Sequence, residues 1–127
     1  MQQHRGTIFV VEDDSSLNEA VGRVFQAAGF RSRLFSSAEA LLAAGAVHEA
    51  DCFVLDVHLP GISGFELCSR LRCSGVLAPL ILITAHDDVM HQRIAREIGV
   101  AAYLTKPVTS ASLVNAVVCA MAALATP

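Results

Sequence analysis

Thr7-Ile8-Phe9-Val10-Val11-Glu12-Asp13-Asp14 decides the architecture: a short, apolar, mostly β-branched run ends abruptly on three acids. Such a run reads as a strand buried on both faces that stops at its polar end. Outward from it, Leu17, Val21, Val24, Phe25 and Ala28 recur at helical spacing, and Gly29 closes the segment. Glycine suits that position because it takes left-handed backbone at a helix end without strain. Arg31 to Phe35 then reads as a second, more polar strand. Ser36-Ser37-Ala38-Glu39 has the Ser-x-x-Glu spacing of a capping box and predicts a short helix to about Ala44.

The unit then repeats. Cys52-Phe53-Val54-Leu55 is a strand that is apolar on both faces and ends at Asp56. After the turn Leu59-Pro60-Gly61-Ile62-Ser63-Gly64, the pairs Phe65/Cys68 and Leu67/Leu71 predict a third helix ending near Gly75. Pro79 to Ile83 is a fourth buried strand ending at Thr84. Val89, Met90, Ile94 and Ile98 form the apolar stripe of a fourth helix stopped by Gly99. Ala101 to Leu104 is a fifth strand ending near Lys106-Pro107, and the last helix runs from about Ser110 to Leu124. Strands alternating with helices in this way predict an α/β fold with helices on both faces of a parallel sheet. The expected arrangement is a flavodoxin-like, doubly wound (βα)5 sheet in the order 2-1-3-4-5.

Composition narrows the function classes. With 127 residues, 54% of them hydrophobic and 17% charged, the chain has the length and the core material of one domain, expected over residues 1–127. The net charge of -3 and the absence of a Lys/Arg cluster argue against direct contact with nucleic acid. Residues 1–5 lead straight into the first strand with no signal-peptide core, so a cytoplasmic protein is expected. Cys52, Cys68, Cys73 and Cys119 lack CxxC spacing, which fits a reducing compartment. Cys73, beside Ser74-Gly75, is the expected exposed thiol, and the other three sit among apolar residues as packing groups. No charged side chain occurs from Pro107 to Pro127. The last helix is too short, and too interrupted by Asn115, for a membrane span. Its lack of a charged face suggests burial on more than one side, and both an alanine-rich domain end and a partner-facing surface satisfy that reading.

In an open parallel sheet, ligands gather outside the carboxyl ends of the strands. Those ends carry Glu12, Asp13 and Asp14, then Asp56, then Thr84, then Lys106, so one crevice would hold them all. Several carboxylates in one crevice repel each other unless a cation sits among them. Hard oxygen donors without a Cys or His set point to Mg²⁺. Acids, a hydroxyl and a lysine together suit phosphoryl transfer, where catalysis is mostly positioning and charge neutralisation. Lys106 is the only lysine in the chain, and its compact ammonium suits a single-point phosphate contact. Each feature also has a plain structural reading. Asp13 or Asp14 could cap the first helix, Asp56 could end a strand, Thr84 could be a satisfied strand-end hydroxyl, and Lys106-Pro107 could be a turn.

Val10-Val11-Glu12-Asp13-Asp14, Leu55-Asp56-Val57-His58-Leu59-Pro60-Gly61-Ile62-Ser63-Gly64, Ile83-Thr84-Ala85 and Tyr103-Leu104-Thr105-Lys106-Pro107 resemble, in order and separation, the signature blocks of response-regulator receiver domains. The resemblance covers nearly the whole chain. It implies that Asp56 is the phosphoacceptor for a sensor histidine kinase or a small phosphoryl donor. Glu12, Asp13, Asp56 and the His58 backbone carbonyl would hold Mg²⁺. Thr84 and Lys106 would bind the phosphoryl oxygens, and Thr84 with Tyr103 would form the switch. The output face would be the fourth helix, fifth strand and fifth helix, with homodimerisation there and a DNA-binding output domain beyond this chain as further expectations. Such a domain is a signalling phosphoacceptor, not an enzyme acting on other substrates.

Two departures from the family pattern stand out. Glu12 stands where the family more often has aspartate. His58 and His86 stand two residues after Asp56 and Thr84, positions that set water access in the family, so a pH-dependent phosphoryl lifetime is expected. His4, His48 and His91 read as solvated surface residues.

Three rivals carry contrary signals. A haloacid-dehalogenase-type phosphatase needs an acid two residues after its nucleophile, where this chain has His58. A flavodoxin-like cofactor binder needs a Ser/Thr/Gly-rich loop where three acids stand. A non-phosphorylated pseudo-receiver would have no use for Asp13, Asp56, Thr84 and Lys106 together.

Overall fold

The computed structural model describes residues 5–125, with side chains through Ala123; His4 therefore lies outside the described residues. The chain alternates β1 (Thr7–Val11), α1 (Ser15–Ala27), β2 (Arg31–Phe35), α2 (Ala38–Ala43), β3 (Cys52–Asp56), α3 (Gly64–Cys73), β4 (Leu80–Thr84), α4 (Val89–Ile98), β5 (Ala102–Thr105) and α5 (Ser110–Ala125). A single 3-10 turn at Val47–Glu49 precedes β3. The five strands form one parallel sheet, as the alternation predicted, in the expected flavodoxin-like order β2-β1-β3-β4-β5.

Strand alternation divides the core. Phe9, Val11, Phe53, Leu55, Leu80 and Leu82 point to the face covered by α2, α3 and α4, where Leu41, Leu67, Leu71 and Ala95 meet them. Ile8, Val10, Cys52, Val54, Ile81 and Ile83 point to the other face and pack on Val21 and Phe25 of α1 and Leu113 and Val117 of α5. Successive strand side chains face opposite ways, so a strand covered on both sides must be apolar throughout. β3 and β4 are accordingly buried at every position, whereas the edge strand β2 is mostly exposed.

Local capping differs from the sequence expectation. Ser37, not Ser36, caps α2, accepting the Ala40 N–H at 3.0 Å. Glu39 does not complete a capping box; its Oε2 accepts the Ile62 N–H at 3.1 Å, tying α2 to the loop after β3. A tertiary partner won over the local one because Gly61, which carries no side chain, lets the carboxylate approach.

Three burial expectations also change. Val89 and Met90, expected on the buried stripe of α4, are 78% and 68% exposed, and Ala95 is the buried residue of that helix. Burial in α4 therefore sits in its second half, at Ala95, with Ile98 packed against the same core. α5 buries one face through Leu113, Val117 and Ala120, while Ala111 and Asn115 are exposed, so its lack of charge does not reflect burial on several sides. Cys119 lies on that outer face and is exposed like Cys73; Cys52 and Cys68 are buried. Among the described residues no helix is long and apolar enough to cross a membrane.

Candidate functional site

The strand order reverses direction between β1 and β3, and a crevice opens at their carboxyl ends. The register sets which side chains meet there. Val11 pairs with Leu55, so Glu12 and Asp56 emerge side by side. Thr84 pairs with Thr105, and the Lys106 N–H donates to the Thr84 carbonyl at 2.8 Å, which turns Lys106 back over the crevice. The Lys106-Pro107 peptide is cis.

Lys106 Nζ donates to Glu12 Oε1 and to Asp56 Oδ2, both at 2.9 Å. Glu12 is 6% exposed and Asp56 5%, and this pairing offsets part of the cost of burying two acids. Glu12, Asp13 and Asp56 each offer a carboxylate oxygen, and these oxygens lie within 4.8 Å of one another. Hard, convergent oxygens of this kind fit Mg²⁺, and the exposure of Asp13 leaves room for the waters that Mg²⁺ retains. Burial pushes the Glu12 carboxyl up from 4.5 to about 7, against the pull of Lys106 and the Asp14 N–H. The Lys106 ammonium is held above its usual value by Asp56 and Glu12, which outweigh its burial.

The acids after β1 divide their work. Asp14 caps α1, its Oδ1 accepting the Leu17 N–H at 3.1 Å, and Asp13 is left free to join the cluster. Asn18, unassigned by sequence reasoning, is buried beneath them. Its Nδ2 donates to the carbonyls of Glu12 and Phe35, both at 2.9 Å, clamping the ends of β1 and β2. The available signal was a polar residue on the inward, apolar face of α1.

On the β3 side, Asp56 Oδ1 accepts the His58 N–H at 3.0 Å. Gly64, which starts α3, packs so tightly on the Asp56 backbone that a side chain there would run into the Asp56 carbonyl. On the β4 side, Thr84 is fully buried. Its hydroxyl donates to the His86 carbonyl at 3.0 Å and accepts the His86 N–H at 3.1 Å. The Tyr103 hydroxyl is buried without a hydrogen-bond partner. Burial, then the negative charge of Asp87, raises its phenol above 10.0.

His58 and His86 stand at the rim with their rings 5.3 Å apart. His91, expected to be solvated, is half-buried against them. His48 is exposed, as expected.

Comparison with known proteins agrees with this geometry. Residues 8–118 match the profile of the response regulator receiver domain. The chain is 34% identical over 110 residues to the transcriptional regulatory protein FixJ of Azorhizobium caulinodans, an alignment that covers 87% of this chain and 52% of that protein. It is also 34% identical over 116 residues to nodulation protein W of Bradyrhizobium diazoefficiens, covering 91% of this chain and 51% of that one. The chain thus spans about half the length of the curated relatives it matches. Among solved structures, FixJ-N superposes with a TM-score of 0.84 at 28% identity, covering 100% of both chains.

Proposed function

We propose that this chain, which belongs to the response-regulator receiver family, accepts a phosphoryl group on Asp56 and relays that event through its surface. The reading rests most on one observation: Lys106 bridges Glu12 and Asp56 beside the exposed Asp13 carboxylate. An acid cradle neutralised by one ammonium is suited to receive a dianionic group and to change its contacts when that group arrives.

In the proposed reaction an Asp56 carboxylate oxygen attacks the phosphorus of a phosphohistidine on a sensor histidine kinase, or of a small acyl phosphate. The new P–O bond forms an acyl phosphate as the bond to the donor breaks, and the leaving group departs with its electron pair. Mg²⁺, when held by Glu12, Asp13, Asp56 and the His58 carbonyl, supplies charge neutralisation on the phosphoryl oxygens. The His58 N–H orients the Asp56 carboxylate. Lys106 leaves the Asp56 oxygen for a phosphoryl oxygen, and the Thr84 hydroxyl gives up its His86 contacts for another. Movement of Thr84 is passed to Tyr103, whose buried hydroxyl interacts with Thr84 without a well-formed hydrogen bond. Added charge with new acceptor oxygens favours a second arrangement of the loops after β3 and β4.

The output surface in this reading is α4, β5 and α5, where Val89 and Met90 stand exposed, and it serves homodimerisation or another partner. The relatives are about twice as long and one is named a transcriptional regulatory protein. They support a DNA-binding output domain in the same regulator, with residues 1–127 as its single receiver unit acting in the cytoplasm. Slow loss of the phosphoryl group to water, gated by His58 and His86, ends the signal.

The test is incubation with acetyl phosphate, with and without Mg²⁺, followed by intact-mass analysis. One labile phosphoryl adduct per chain is expected only with Mg²⁺, and Asp56→Asn should abolish it. An adduct of undiminished yield in that variant would remove Asp56 from the role.

A further inference from the structure

His58, His86 and His91 gather at the crevice rim from three stretches of chain: the loop after β3, the loop after β4 and the first turn of α4. The His58 ring centre lies 5.3 Å from that of His86 and 5.4 Å from that of His91. More than ring contact holds His91. Its Nδ1 is 3.1 Å from the His86 carbonyl oxygen and 3.7 Å from an Asp88 carboxylate oxygen. A carbonyl only accepts, so Nδ1 carries the proton and Nε2 keeps its lone pair. A ring N–H given to a carbonyl or carboxylate is the device that orients metal-binding histidines. Phe65 also packs on His91, at 5.4 Å between ring centres.

We propose that His58, His86 and His91 bind one borderline-soft divalent transition-metal ion of the zinc type, at a site distinct from the acidic cluster. The inference does not depend on the phosphoryl-acceptor reading. Imidazole nitrogen lies about 2.0–2.1 Å from zinc, so two rings on one tetrahedral ion have centres about 5 Å apart, close to the His58–His86 and His58–His91 separations. Among the described residues only the oxygens of Glu12, Asp13 and Asp56 converge within 4.8 Å. The imidazole site therefore closes by turning His58 and His86, both exposed, toward Nε2 of His91. Exposed side chains make such turns within nanoseconds. Water takes the remaining position. Ligand softness keeps the two sites apart, because imidazole selects zinc, nickel or copper while carboxylate and water select Mg²⁺. A bound ion cross-links the loops after β3 and β4.

The experiment is a calorimetric titration of the full chain with Zn²⁺ in saturating Mg²⁺, alongside histidine ring-proton spectra. One ion per chain is expected, with the His58, His86 and His91 resonances shifting and that of His48 unmoved. His91→Gln and His86→Gln should each weaken binding by about tenfold or more, whereas Asp13→Asn should not. Zn²⁺ affinity that survives both histidine substitutions, or that is lost in Asp13→Asn, overturns the proposal. If a variant fails to fold, the wild-type spectra still decide, since a Zn²⁺-saturated chain with unshifted His58, His86 and His91 rings rules the site out.

Discussion

The two sides of the crevice are built to opposite standards. On the β1–β3 side every buried charge is matched: Lys106 reaches Glu12 and Asp56 at 2.9 Å each, and the His58 N–H takes the other Asp56 oxygen at 3.0 Å. On the β4–β5 side the Thr84 hydroxyl is spent on the neighbouring His86 backbone, and the Tyr103 hydroxyl is buried with no partner. The first side is preorganised, as chemistry requires, because a misplaced buried charge is costly. The second side gives up little when it rearranges, which is what a signalling element needs. In the proposed function, an acceptor and a readout thus share one pocket.

The sharpest way to break this contrast is Lys106→Ala. Removing one partner from a fully buried ion pair costs about 3–5 kcal/mol. The Lys106 side chain is 25% exposed, so water recovers part of that. A loss of about 2 kcal/mol is expected in metal-free urea unfolding, with most of it restored by saturating Mg²⁺. An unchanged midpoint would mean the matched side is no better stabilised than the other.

Next in size is the pH dependence of Mg²⁺ affinity. With the Glu12 carboxyl pushed up to about 7, the ion must displace a proton below that pH. Affinity should therefore climb with pH and level off above about 7, being about tenfold weaker at pH 6 than at the plateau. Calorimetry from pH 5.5 to about 8.5 checks this, and Glu12→Gln should flatten the profile. The sign for stability is opposite. In the metal-free chain the raised carboxyl favours folding below 4.5, and that contribution is lost as pH rises toward about 7.

The smallest effect belongs to the unmatched side. Tyr103→Phe deletes a buried hydroxyl that makes no well-formed hydrogen bond and interacts only loosely with Thr84, so the unphosphorylated chain should gain up to about 1 kcal/mol in thermal unfolding. A loss of stability instead would show that the hydroxyl has a partner and that the two sides are alike.

Much of this was legible in the residues. Strands that are apolar on both faces and end in Glu12, Asp56 and Thr84 required a parallel sheet covered on both sides, with its polar residues at one end. The failures share a cause. Glu39 matched a local capping pattern but bonds Ile62 across space. Val89 and Met90 matched an apolar stripe but stand exposed at the start of α4, before the helix packs on the core. His91 looked like a lone surface residue until the loops after β3 and β4 brought His58 and His86 toward it. Periodicity reports which residues a helix could bury, not which of them meets a partner in space.

Sequence alone therefore determined the alternation of strands and helices and which acids, hydroxyl and lysine stand at the strand ends, because hydrophobic periodicity acts locally; the order 2-1-3-4-5 was an expectation from the flavodoxin-like arrangement that the strand pairing bears out. Tertiary structure alone decided that Lys106 bridges Glu12 and Asp56, that Asp14 caps while Asp13 joins the acid cluster, and that the His58 ring lies against those of His86 and His91. Those outcomes depend on distances between residues far apart in the chain, set by strand register and packing, and no local pattern encodes them.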